Sequence, residues 1–110
     1  MKKPEYIAVL ITAGSEKEAK KIKKALLAQR LAACVNEIGG VKSSFWWKGK
    51  IDNSPEVLLV AKTKDKYFKE IVGLVKTIHS YQVPEIIGLP IIAGNQDYLN
   101  WLSETLQKKT

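Results

Sequence analysis

The chain has 110 residues, 45% hydrophobic and 26% charged, with a formal net charge of +7 at neutral pH. That length fits one domain, residues 1–110, with room for one core and little left for a second. No run approaches the roughly 18 apolar residues of a membrane span, and the lone cysteine, Cys34, excludes an internal disulfide framework.

The N-terminal Met1-Lys2-Lys3-Pro4-Glu5-Tyr6 places basic residues before an apolar run, but no small-residue cleavage site follows. A signal peptide is therefore not expected, and the cytoplasm is the expected compartment. Much of the positive charge lies in Lys17, Lys20, Lys21, Lys23 and Lys24, interleaved with Glu16 and Glu18. This reads as the solvated face of a helix, and nucleic acid is not an expected partner.

Residues 5–13 form a short apolar run ending at Gly14. Ile7, Val9 and Ile11 alternate with Ala8 and Leu10, so both faces of this first strand are apolar and both should be covered. Ser15 and Glu18 then make a capping box. Ala19, Ile22, Ala25, Leu26 and Arg30 keep helical spacing to about residue 30.

Residues 31–50 contain no proline and no helical period. Ala32, Cys34, Val35, Ile38, Val41, Phe45, Trp46 and Trp47 predict a long strand, with Gly39-Gly40 as a bulge or bend. At roughly 3.3 Å per residue such a strand reaches about 60 Å, well beyond a domain whose radius of gyration is about 13–14 Å. It should project and pair with something. Residues 50–55, rich in Asp, Asn, Ser and Pro, read as a turn, and residues 56–63 as a third strand. The two strands make a hairpin with Trp46 and Trp47 near its tip. Asp65 can cap a second helix carrying Phe68, Ile71, Val72, Val75 and Ile78. A fourth strand follows at 86–93, with Pro90 marking an edge or bulge. A third helix opens at Asn95 or Asp97, runs through Tyr98, Leu99, Leu102 and Leu106, and closes on Lys108 and Lys109.

The order β-α-β-β-α-β-α begins as a ferredoxin-like βαββαβ unit, an antiparallel sheet with helices on one face, and adds a C-terminal helix. Strands one, three and four are apolar on both faces, so one sheet face would remain bare in a monomer. Such a patch, together with the overlong hairpin, predicts subunits packed sheet against sheet.

The chemistry is sparse. Cys34 and His79 are the soft metal-ligand candidates, and copper accepts mixed sulfur and imidazole donors. One chain cannot supply the four ligands of a closed zinc site. The bland alternatives are a buried small strand residue for Cys34 and a polar helix terminus for His79. Lys62, Tyr81 and Glu85 are acid-base candidates. No nucleophile elbow, Ser/His/Asp set, phosphate-binding loop or dinucleotide fingerprint occurs, so an enzyme is not expected. Phe45-Trp46-Trp47-Lys48-Gly49-Lys50 can stack on bases, but strand three, Val57-Leu58-Leu59-Val60, lacks the aromatic pattern of an RNA-recognition module. Phe45, Trp46 and Trp47 fit better as interface aromatics.

Several stretches together resemble the CutA divalent-cation tolerance family. They are Leu31-Ala32-Ala33-Cys34-Val35-Asn36, then Phe45-Trp46-Trp47-Lys48-Gly49-Lys50-Ile51, Glu56, Lys62-Thr63, His79-Ser80-Tyr81-Gln82-Val83-Pro84-Glu85-Ile86-Ile87 and Tyr98-Leu99-Asn100-Trp101-Leu102. The resemblance spans essentially the whole chain. It implies a cytoplasmic homotrimer of ferredoxin-like subunits, with long hairpins around a threefold axis and Phe45, Trp46 and Trp47 at the trimer interface. It also implies a role in tolerance of copper and other divalent metals, with Cu2+ or another divalent ion bound weakly through Cys34 and His79. Lys62, Tyr81 and Glu85 fall in the implied cleft between subunits. The family is similar to the PII signalling proteins in architecture, so the alternative is a small-ligand sensor using that cleft. The chain departs from the usual His-Pro-Tyr-Glu-Val-Pro pattern, with Ser80 for proline and Gln82 for glutamate, which leaves Glu85 the only acid of the segment.

Overall fold

The Ser15 hydroxyl accepts the Glu18 backbone N–H at 3.1 Å and starts the first helix where the capping signal lies. The computed structural model describes residues 3–107, with Gln107 described by its backbone alone. Its elements are β1 (Tyr6–Ala13), α1 (Glu16–Ala28), β2 (Cys34–Trp47), β3 (Lys50–Lys64), α2 (Phe68–Ile78), β4 (Ile86–Pro90) and α3 (Gln96–Gln107). A short 3-10 turn, Asp65–Tyr67, leads into α2. This is an α+β fold with a four-stranded sheet in the order β2-β3-β1-β4, every neighbouring pair antiparallel.

Strand alternation decides the core. Ile7, Val9 and Ile11 of β1 and Val57, Leu59 and Ala61 of β3 are buried together with Ala19, Ile22 and Leu26 of α1 and Ile71 and Val75 of α2. The helical residues recur three and four apart, so each helix turns one stripe toward the sheet. The alternate strand residues line the other face. Leu10 lies across from Val60 and from Ile87, and Leu58 from Ile38. Ile38, Ile87 and Leu89 there are close to half exposed. The third helix anchors one end of the sheet. Tyr6 and Ser103 share a hydrogen bond of 2.7 Å, Arg30 Nη1 donates to the Thr105 carbonyl at 2.9 Å, and Leu102 and Leu106 are fully buried.

The strand boundaries differ from the sequence reading at three places. The first is the start of the long strand. Arg30, with φ at 53°, stops α1, and β2 begins at Cys34 instead of residue 31. The second is the hairpin turn, which falls at Lys48-Gly49 and not at 50–55. Both residues have positive φ, 51° and 79°, which is the two-residue turn whose twist matches paired strands. Asp52, Asn53, Ser54 and Pro55 are strand residues paired with β2 alone, because β1 pairs with β3 only from Val57 onward. Turn-forming side chains are tolerated there in a solvated two-stranded arm, and Pro55 sits on a strand whose second edge is free. The third is β4, which ends at Pro90 and not at Ala93; the Ile91 N–H still donates to the Tyr6 carbonyl at 3.0 Å, so Pro90 sits on this edge strand where no N–H is needed. The expected basic end of the third helix, Lys108 and Lys109, lies outside the described residues.

The 14 residues of β2 reach about 46 Å at 3.3 Å each, matching the 44 Å longest dimension of the whole chain. The hairpin arm thus runs the full length of the molecule and continues past the end of β1.

Candidate functional site

Between the arm and the segment after α2 lies a cleft of about 730 Å³. The register of the arm decides what faces it. Ile38 pairs with Leu58 and Val41 with Glu56, so β2 spends three steps where β3 spends two. The extra residue is accommodated at Gly39-Gly40, where Gly40 takes a φ of 74°. Beyond the bulge Phe45 pairs with Asp52, Ser43 with Ser54 and Val41 with Glu56. The odd residues of β2 therefore share a face with the even residues of β3, and Phe45 and Trp47 come to the side of Asp52 and Glu56.

The other wall is made by Tyr81, Gln82, Val83 and Glu85, and the bonds of His79 and Ser80 anchor that segment. The His79 side chain is wholly buried, with Nε2 at 2.6 Å from the Thr12 carbonyl. Nδ1 accepts the Tyr81 backbone N–H at 3.0 Å and lies 3.1 Å from Glu18 Oε1. Ser80 donates to Glu18 twice, through its N–H at 2.8 Å and its hydroxyl at 2.7 Å. Glu18, expected to close the capping box on Ser15, reaches across to the cleft wall instead.

Tyr81 carries the wall into the cleft. Its ring lies 4.7 Å from the His79 ring, and its hydroxyl donates to Glu56 Oε2 at 2.8 Å. A Cβ on Gly14 would sit 3.1 Å from that hydroxyl, so the missing side chain makes room for the phenol. Burial raises the Tyr81 pKa above its ordinary value. The Ser54 hydrogen bond opposes that rise, and the bond to Glu56 and its charge add to it.

The structure brings Tyr81, Glu85 and Trp47 together along this cleft. It does not bring Cys34 to His79. Cys34 pairs with Lys62, and Lys62 in turn pairs with Ala8. Thr12, which holds the His79 ring, is four residues further along β1, about 13 Å away. Cys34 is half-buried, and Tyr98 lies against it: burial first, and then the Cys34 thiol, raise the Tyr98 pKa. Lys62 donates to the Asn36 side chain and does not line the cleft. Both His79 nitrogens are engaged within the chain, and no group of three or more His, Cys, Asp or Glu is placed to hold a metal ion among the described residues.

Glu18, Thr12 and Gly14 carry no mark of a site in the sequence. Their signals are local ones, a cap, a strand end and a strand-breaking glycine, and their partners lie more than sixty residues away in sequence. Only the departure of Ser80 from proline hinted that something here needs an N–H and a hydroxyl.

The comparisons agree with this frame. Residues 7–105 match the model of the CutA1 divalent ion tolerance protein family. The divalent-cation tolerance protein CutA of Thermus thermophilus is 48% identical over 96 residues, which cover 87% of this chain and 93% of that protein. Among solved structures, the periplasmic divalent cation tolerance protein CutA from Archaeoglobus fulgidus is similar with a TM-score of 0.90 at 42% identity, covering 93% of this chain and 99% of that one. CutA1 from Oryza sativa is similar with a TM-score of 0.91 at 36% identity, covering 96% and 97%. On sequence and fold together, this chain belongs to the CutA1 divalent ion tolerance family.

Proposed function

We propose that this protein serves in tolerance of divalent cations, copper among them, as a cytoplasmic homotrimer of ferredoxin-like subunits that acts by binding and not by catalysis. The observation that carries the reading is the family match across residues 7–105. The trimer draws support from the open apolar sheet face and the solvated arm, which expose Ile38, Ile87, Leu89, Trp46 and Ile51.

Metal is the cargo in this reading. Among the described residues a single chain offers one soft donor, the half-buried Cys34 thiol, and His79 has no ring nitrogen to spare. Donors from several copies are then needed to complete a site, which fits weak and transient capture. Calorimetric titration with Cu2+ tests this. Wild type should bind, Cys34→Ala should lose the heat, and His79→Ala should retain it if folded. A Cys34→Ala variant binding like wild type would refute Cys34 as the donor, and a monomer in sedimentation at micromolar concentration would refute the assembly.

The second reading, a small-ligand sensor similar to the PII proteins, is favoured by the 730 Å³ cleft, within the range of ordinary ligand sites. Thermal shifts across nucleotides and metabolites test it.

A further inference from the structure

His79 is the one histidine of the chain, and its two ring nitrogens differ in their freedom. Nε2 lies 2.6 Å from the Thr12 carbonyl, which can only accept, so Nε2 carries a proton in every state. Nδ1 stands between two groups that ask opposite things of it. The Tyr81 backbone N–H donates to it at 3.0 Å, which needs a bare lone pair. Glu18 Oε1 stands 3.1 Å away, and a carboxylate oxygen there needs a proton on the ring. One nitrogen cannot serve both.

The surroundings support each state in turn. With the ring neutral, Glu18 keeps its place through Ser80, whose N–H reaches Oε1 at 2.8 Å and whose hydroxyl reaches Oε2 at 2.7 Å. With the ring protonated, Glu18 becomes the countercharge that a buried imidazolium requires. Among the described residues Glu18 of α1 is the one ion-pair partner of His79. The strand β1 presents only the Thr12 carbonyl to the ring, and α2 presents the Val75 carbonyl to the His79 N–H at 2.8 Å. The Tyr81 ring lies 4.7 Å from the imidazole, and Glu56 of β3 stands behind it, accepting the Tyr81 hydroxyl at 2.8 Å.

We infer that His79 is a proton-operated switch: neutral, it holds the Tyr81 N–H and seats the cleft wall; protonated, it turns Nδ1 to Glu18 and releases Tyr81. The consequence travels through one residue. Tyr81 ties the segment after α2 to the hairpin arm through Glu56, so releasing its N–H loosens that tie and the wall with it. Every part of the switch lies within one chain, and the ring is buried there. The switch needs neither copper at Cys34 nor a ligand in the cleft, so it stands if either of those readings fails.

Nitrogen NMR of the full chain between about pH 5 and 8, the range in which imidazoles change charge, reads both ends of the switch. At the alkaline end the ring should show the tautomer with its proton on Nε2. On acidification Nδ1 should gain a proton, and over the same midpoint the Tyr81 amide resonance should shift. Its protection from hydrogen exchange should fall by about tenfold, the worth of one net hydrogen bond. Glu18→Gln, which removes the countercharge and keeps the shape, should move that midpoint to lower pH. Should this variant fail to fold, the wild-type titration decides by itself. A Tyr81 amide that stays unchanged while His79 titrates overturns the inference, as does an imidazole that keeps one charge state throughout. A folded Glu18→Gln that titrates with the wild-type midpoint overturns it too.

Discussion

Glu18 and Ser80, 62 residues apart, are joined by two hydrogen bonds, one from the Ser80 N–H at 2.8 Å and one from its hydroxyl at 2.7 Å. Proline at that position has no N–H and no hydroxyl to give. The clasp therefore exists in this chain because serine stands there, and it ties the first turn of α1 to the cleft wall. Ser80→Pro should lower stability by about 1–2 kcal/mol, since two bonds to a carboxylate are lost at a largely exposed site. Denaturant midpoints at one fixed protein concentration measure it, and an unchanged midpoint means that the clasp contributes nothing.

Gly14→Ala should disturb Tyr81. The new Cβ would approach the phenol to 3.1–3.2 Å, tighter than most real contacts, so the ring must give by a few tenths of an ångström and strain its bond to Glu56. A loss of about 1–3 kcal/mol is expected, as for other overpacked sites. Tyr81→Phe should then cost less in the Gly14→Ala background than in wild type, because the bond to Glu56 is already strained; a double-mutant cycle with no coupling rejects this account.

Stability should fall as pH rises through the tyrosine range. Tyr81 and Tyr98 hold their protons more tightly folded than unfolded, chiefly through burial. A raised folded pKa contributes stability that is present below the unfolded value of about 10 and disappears as pH climbs through the folded one. Lysines titrate nearby, so the useful quantity is a difference. Tyr81→Phe and Tyr98→Phe should each flatten the alkaline decline of the unfolding midpoint, and parallel curves for variant and wild type would contradict it.

The hairpin turn gives a local test. Lys48 holds a φ of 51° without being glycine, which costs an L-residue about 1–2 kcal/mol. Asparagine tolerates that region and is favoured there in this turn. Lys48→Asn should raise the thermal midpoint slightly, and Gly49→Ala, at φ 79°, should lower it by about 1 kcal/mol or more.

What the sequence makes legible follows from range. The first helix is readable because Ser15, Glu18 and the stripe of Ala19, Ile22 and Leu26 are signals within a few residues of their effects. The two-faced β1 is readable because alternation is local too. Residues 50–55 look like a turn because Asp, Asn, Ser and Pro report what a segment tolerates in isolation, whereas their pairing with residues 42–47 is imposed by the Lys48-Gly49 turn. The cleft was half legible. His79, Tyr81 and Glu85 stand out as polar residues beside an apolar run, but Glu18 and Glu56 reach them from distant elements. Cys34 and His79 look like partners by chemistry alone, and the sheet separates them.

The bulge at Gly39-Gly40 acts as a half-period phase shift. A strand is a two-beat pattern, so one extra residue turns every later side chain over without moving the backbone far. Ironing the bulge out with both glycines kept would turn Trp46, in place of Phe45 and Trp47, to the side of Glu56, whereas deleting one glycine would remove the bulge and keep Val41 opposite Glu56 and Phe45 opposite Asp52. The chemistry of the cleft is thus written partly in the backbone conformation of a segment that contributes no functional group to it, and a slip of register there would rewrite it while leaving every lining residue in the sequence untouched.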